Sequence, residues 1–552
     1  LDADDDTRDV GIRGLRHQFG DVGTDHQLLA ARQSMVSSAQ ALVTRFQSME
    51  SRLDELYQGV GTQITTTVAT INSYAQQIGE LNQRIVLAQA ATQAPANDLL
   101  DQRDFLMTEL NKLVEVKATT NSDGSYNVFF GTGQQLVVGP NVTELVAQAS
   151  YADISRIVVG IKTAGSVQEL PENLITGGEL AGLIRFRSET LDRTSNDVGR
   201  LAATMALTMN AQHALGQDLL GQAAGEGSFV ADFFTLAAPR TTANSLNTGG
   251  AALSASFVTP PPVSATGNFY TNLTNSDYRL AYDGANYTLT RLSDNQTWSN
   301  ASLATLSTNV AASEGFQLSL AGAMNAGDSF TVMPTKFAAR GIAVNASIAA
   351  DPRLIAAASP VRTNVGATNS GSATVTTGEV GVGYALGALP VTVTYDAGAN
   401  QLTGFPGGPI AYNPTGTTVT FNGISVDISG TPADNDTFRI ERNTGGVSDS
   451  RNALALGALQ TQGTVAGGTA NYQVAYARLV SDAGNKTREI QVTSTAQSAL
   501  LEQAKSSRES LSGVNLDEEA ANLLRYQQAY QASAKAIDIG SRLFDVILAI
   551  RG

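Results

Sequence analysis

The 552 residues carry 35 Lys+Arg against 50 Asp+Glu, a formal net charge of −15, and no cysteine. That balance argues against a nucleic-acid backbone or an anionic membrane as partner, because both need concentrated positive charge. Disulfides, thiolate metal sites and cysteine nucleophiles are excluded outright, and no apolar run reaches the roughly 18 residues of a membrane span.

Residues 1–27 are dense in charge, hold His17 and His26, and show neither helical nor strand periodicity, so they are read as a disordered leader. "DADDD" lacks the alternating spacing and distal Glu of an EF-hand loop. The start at Leu1 rather than Met leads us to expect an N-terminally truncated reading. A helical body is expected over 28–235. Leu42, Phe46, Met49, Leu53 and Leu56 step as a heptad seam, and Leu56, Val60, Ile64 and Val68 then drift by fours. Gly59 and Gly61 lie at the drift, and each weakens a helix by about 1 kcal/mol relative to Ala. Either one bent helix or two abutting helices follow from that. A second helix over Asn97–Val114 starts after Pro95. Asp123-Gly124 marks a hairpin at about 120–140, and helical patterning returns over Gly177–Gly216.

Residues 236–443 read as β, rich in Thr, Val, Tyr and Phe, and they repeat themselves. "GFQLSLAGAMNAGDSFTV" (315–332) aligns without gaps to "GISVDISGTPADNDTFRI" (423–440), pairing Gly315/Gly423, Leu318/Val426, Leu320/Ile428, Gly322/Gly430, Asp328/Asp436 and Phe330/Phe438. "LAYDGANYTLT" and "VTYDAGANQLT" echo each other upstream. Alternating apolar positions around polar turns predict two β modules of one design: module 1 over 236–343 and module 2 over 366–443, with a connector at 344–365. The helical body resumes over 444–513. The fold class expected is multidomain α + β, with long terminal helices, a helical-bundle body and two inserted all-β modules.

Catalytic motifs do not emerge. His17, His26 and His213 are the three histidines, and none forms H-E-x-x-H or an i, i+4 pair. No G-x-S-x-G elbow or Walker loop occurs. His213, near a helix end, reads as a structural imidazole bonded to carbonyls. A non-enzymatic chain without cofactor or metal is the expectation.

A last helix is expected over 514–552. Asn515 can cap it with Glu518 as the return partner of a capping box, and Asp517, Glu518 and Glu519 suit the positive end of the helix dipole. Positions 516, 520, 523, 527, 530, 534, 537, 541, 544 and 548 step 4-3-4-3 and include Leu516, Leu523, Tyr530, Ile537, Phe544 and Leu548. At 1.5 Å per residue the helix is on the order of 50 Å long, and a stripe of that length needs partner helices. These residues are the expected assembly seam.

"SGVNLDEEAANLLRYQQAYQASAKAI" resembles the C-terminal signature of the flagellar hook-associated protein 1 (FlgK) family. "AARQSMVSSAQALVTRF", "NDLLDQRDFLMTEL", "TGGELAGLIRFRSETLD", "NAQHALGQDL" and "SDSRNALALGALQ" are similar to family segments in the family's order. The family's N-terminal helix and its "NNIAN"-like stretch are not matched. The resemblance implies a secreted structural subunit of the bacterial flagellum joining hook to filament, exported unfolded without a cleaved signal peptide. It also implies as partners copies of itself, the hook protein, a second junction protein and an export chaperone, with no nucleic acid or membrane. The alternatives are a hook or rod axial protein, whose tails are similar, and an extracellular adhesin with glycan-binding β modules.

Overall fold

The computed structural model describes residues 29–92, 95–262, 268–384, 387, 389–446, 449–512 and 516–550. The expected leader, 1–27, lies outside them. The chain divides into two compact units, Leu1–Ser481 and Asp482–Gly552.

Helix α1 (Leu29–Thr92) is one continuous helix of 64 residues, about 96 Å long. The seam departs from expectation at one place. Leu56 is 40% exposed, and Tyr57 packs into the core instead. The steps 53-57-60-64 hold the 4-3-4 period, whereas Leu56 lies about 100° around the helix from Tyr57. Toward its N-terminal end α1 buries Met35, Leu42 and Phe46 against a core that includes Leu201, Met205 and Leu456; further on, Ile64, Ile71 and Ile78 meet Leu110, Phe130 and Val159.

Helix α2 (Asn97–Leu113) returns along α1. Seven strands rather than one hairpin follow it. Val116–Thr120, Tyr126–Phe130, Gln134–Val138 and Asn141–Val142 form an antiparallel meander; Leu145–Ala149, Ile157–Thr163 and Ser166–Glu169 form a second. Two α1 amides hold them by mimicking a paired strand. Asn72 accepts from Leu145 N–H and donates to Leu145 O, and Asn82 does the same with Tyr126. Helix α3 (Gly178–Arg185), a π-helical turn (Phe186–Leu191) and helix α4 (Asp192–His213) then run consecutively.

Module 1 has a five-stranded sheet in the order 297–300, 287–291, 278–282, 329–333, 240–243, and a two-stranded sheet of 252–257 and 316–321, with helix α5 (Leu303–Glu314) beside them. Module 2 repeats the plan with 410–411, 401–403, 391–396, 437–442 and 361–365. The first of its strands, Val361–Val365, pairs with Thr437–Arg442 and so belongs to the module's sheet rather than to the expected connector.

The internal repeat has a structural basis beyond strand alternation. Asp328 accepts from the backbone N–H groups of Thr248, Gly249 and Asn325; Asp436 accepts from those of Ser370, Gly371 and Ala433. Asn247 and Asn369 each bracket the next residue in the strand, Ser329 and Thr437, through N–H and C=O. These clasps close on Asn247-Thr248-Gly249 and Asn369-Ser370-Gly371. A Cβ on Gly249 would meet Asp328 Oδ2 at 2.4 Å, and one on Gly371 would meet Asp436 Oδ2 at 2.5 Å. One paired position serves two purposes: Gly315 ends α5 in the left-handed conformation, while Gly423 turns the hairpin between Thr417–Phe421 and Ile424–Ser429.

Module 1 is seated on the body by a cluster of half-buried charges around the buried Lys336. Asp192 accepts from Lys336 Nζ and from Arg156, both at 2.6 Å, and Arg156 grips Glu172 through two bonds of 3.0 Å. Module 2 leaves and re-enters the body at one place. Asn452 Nδ2 donates to Ala356 O and Ala453 N–H to Ala357 O, so helix α6 (Arg451–Ala458) closes against the segment that departs.

Candidate assembly surface

Helix α7 (Tyr472–Ser512) starts where Asn471 Oδ1 accepts from Val474 N–H at 2.8 Å, an N-cap in the ordinary sense. Its first turns belong to the larger unit. Tyr472 is buried and its hydroxyl bonds Thr208 Oγ1 at 2.5 Å; burial holds that hydroxyl's pKa up at about 12. Ala475, Tyr476 and Leu479 pack on the same core. Beyond them the helix keeps its apolar side chains in solvent, with Ile490, Val492, Leu500 and Leu501 all exposed.

Helix α8 (Leu516–Ile550) follows. Of the expected seam residues, Leu523, Tyr530 and Ile537 are 69, 77 and 72% exposed. Two heptads of spacing put the three on one face. The side chains of Leu516, Phe544 and Leu548 lie outside the described ones, as does Asn515, so the capping box with Glu518 is not among the described contacts. Glu518 stands with Asp517 and Glu519 in the first turn, where the dipole favours all three.

Sequence reasoning missed a second stripe. Ile539, Leu543 and Val546 are also exposed and step 4-3, about 140–200° around the helix from Leu523. Their own spacing was the available signal. Tyr526, also exposed, widens the first stripe between Leu523 and Tyr530. A helix apolar on opposite sides suits enclosure by neighbours rather than one-sided docking. Full burial of each such side chain is worth roughly 1.5–3 kcal/mol before the entropy of ordering is subtracted. Charges on these helices pair along their own surface, as in Lys486–Glu489, Lys505–Glu502 and Arg542–Asp538; solvent screens such exposed pairs, so they add little to stability.

His213 lies in the body core, remote in sequence from these stripes. Its Nε2 accepts from Ala356 N–H and its Nδ1 faces Ala231 O, both at 2.9 Å. Burial lowers its pKa to about 4, so the ring is a neutral bracket between two loops. Among the described residues no group of three or more His, Asp or Glu is placed to hold a metal ion, and no helix is long and apolar enough to cross a membrane.

Family models place these parts in order. Residues 10–229 match the helical domain of flagellar hook-associated protein FlgK, 242–334 the D2-like domain of flagellar hook-associated protein 1, and 360–420 its D3 domain. Residues 505–550 match the C-terminal model of the flagellar basal body rod proteins FlgEFG, so the exposed seam lies in a segment shared with rod proteins. Flagellar hook-associated protein 1 of Salmonella typhimurium is 32% identical over 95% of this chain and 77% of its own length, and that of Escherichia coli K12 31% over the same shares. The flagellar hook junction protein FlgK from Burkholderia pseudomallei superimposes with a TM-score of 0.80 at 36% identity, over 91% of this chain and 93% of its own. Since body, both β modules and tail all match in sequence order, the chain belongs to the flagellar hook-associated protein 1 family.

Proposed function

We propose that this chain is a structural, non-catalytic subunit of the bacterial flagellum that joins hook to filament outside the cell. Copies of the chain would enclose one another's α8 seam in coiled-coil contacts, with the hook protein and a second junction protein as neighbours above and below. Export unfolded, with a chaperone covering the seam, fits a helix that exposes so much apolar surface. The observation that carries this reading is the exposure of Leu523, Tyr530 and Ile537 together on one face of α8. Family membership supports the junction position over the rod, because the rod-like match is confined to the tail while the body and modules match hook-associated models.

Ile537→Asp tests it. The variant should keep the body and both modules folded, as judged by circular dichroism and proteolysis, yet fail to support filaments on completed hooks seen by electron microscopy. Normal filaments on an Ile537→Asp background would sink the assembly role of the seam. Loss of hooks as well as filaments on deletion of the chain would move it to the hook or rod.

A further inference from the structure

Module 1 joins the body through a two-stranded neck: Phe234–Thr235 leads in, Ala343–Val344 leads out, and the two pair antiparallel. One face of α1 meets the segment that leaves the module. Gln47 Nε2 donates to Ile342 O at 3.0 Å, Glu50 and Asp54 both reach Arg340, and Lys336 Nζ lies 4.9 Å over the Tyr57 ring. These four α1 positions step 3-4-3, the spacing of a single helix face.

Glu50 is the poorly paired member of that row. It is 3% exposed, yet its Oε2 has no hydrogen-bond partner among the described residues. Its Oε1 lies 3.6 Å from Arg340 Nη2, beyond hydrogen-bonding length. Arg340 is half exposed and stands closer to Asp54, at 3.3 Å. Two carboxylates therefore share one solvated guanidinium. The other cation facing Glu50 is Lys336, which is bonded to Asp192 of α4 at 2.6 Å. A buried carboxylate without a bonded cation is most stable with its proton on. Burial lifts the Glu50 pKa to about 7; Arg340 and Lys336 oppose the rise and Asp54 adds to it.

We propose that Glu50 is a proton-operated latch between α1 and the neck of module 1, closing the joint when protonated and loosening it when ionised. Opening lets water reach the carboxyl, which then returns to its ordinary pKa of 4.5. The closed joint binds the proton more tightly. Closure is therefore fully favoured below pH 4.5, and that advantage is lost as pH rises to about 7.

The latch is independent of the α8 seam. Hydrogen exchange of the full chain measures it over residues 342–345, where Asn345 N–H bonds Phe233 O across the neck. Each rate is divided by the intrinsic exchange rate at that pH. Wild type should open on the order of 10- to 100-fold more readily at pH 8 than at pH 5. Glu50→Gln, isosteric and uncharged, should lose most of that change; the remainder belongs to Asp277, whose pKa burial raises to about 6. Arg340→Gln, at a half-exposed position, removes the nearest cation and should carry the transition to higher pH. Protection in wild type that is constant from pH 5 to 8, a Glu50→Gln profile equal to wild type, or a transition that Arg340→Gln leaves in place overturns the proposal.

Discussion

A Cβ at Gly199 would sit 1.7 Å from the carbonyl oxygen of Thr335 and 2.7 Å from its carbonyl carbon, because α4 runs directly against that backbone. Gly199→Ala should therefore destabilise the body by about 3 kcal/mol or more. At Gly59 nothing lies within 4 Å, and Gly59→Ala should stabilise α1 by roughly 0.5–1 kcal/mol. Urea midpoints of the two variants, expected to move in opposite directions, check both. His213 makes a pH prediction. Its folded pKa of about 4 lies below the ordinary 6.5, so between those values the unfolded chain takes up a proton that the folded chain refuses. The imidazole's contribution is complete above pH 6.5 and is lost as pH falls toward 4. The stability cost of His213→Gln should shrink by about 3 kcal/mol over that window, measured as the wild-type minus variant difference so that other titrating groups cancel.

Helix α1 shows how far periodicity reaches at the scale of an element. Its existence, direction and most of its buried face were legible in the spacing of Leu42, Phe46, Ile64, Ile71 and Ile78. The drift at 56–60 was legible too, but not its resolution, since choosing Tyr57 over Leu56 depends on what lies opposite. Leu56→Gln should leave stability within about 0.5 kcal/mol, while Ile64→Ala, at a fully buried position, should cost about 2–5 kcal/mol; thermal unfolding of the two variants tests the assignment. In α8 the stripe of Leu523, Tyr530 and Ile537 was readable in the same way. The opposite stripe of Ile539, Leu543 and Val546 was overlooked because a single-seam template leaves its positions unassigned. The strands at 145–169 were unread because their runs are short and broken by Gly160 and by the loop at 151–156, so neither period has room to declare itself.

Across the whole molecule, the modules are held by contacts between residues far apart in the chain. Asp192 joins Lys336 of module 1 to Arg156 of the second meander. Asp192→Asn would leave two mostly buried cations short of an anion, and breaking such a pair costs about 3–5 kcal/mol. Earlier loss of amide protection across 329–333, by hydrogen exchange, is the expected sign. Module 2 depends on Arg451, which donates to the carbonyls of Thr377, Gly378 and Val361 while paired with Asp449. "SDSRNALALGALQ" displayed that arginine, yet nothing in its neighbours says that it reaches into the module.

The sequence alone determined the succession of helical body, duplicated β modules and long final helix, together with the face of that helix carrying Leu523, Tyr530 and Ile537. Each of those properties is local, written in spacings of two, three and four residues that backbone geometry converts directly into faces. Tertiary structure decided the rest: which of two adjacent residues enters a seam, why Gly199 is confined and Gly59 free, how Asp328 and Asp436 close their modules, and that Glu50 and Asp54 share Arg340. These depend on what the chain brings opposite a residue from tens or hundreds of positions away, and no local period encodes that.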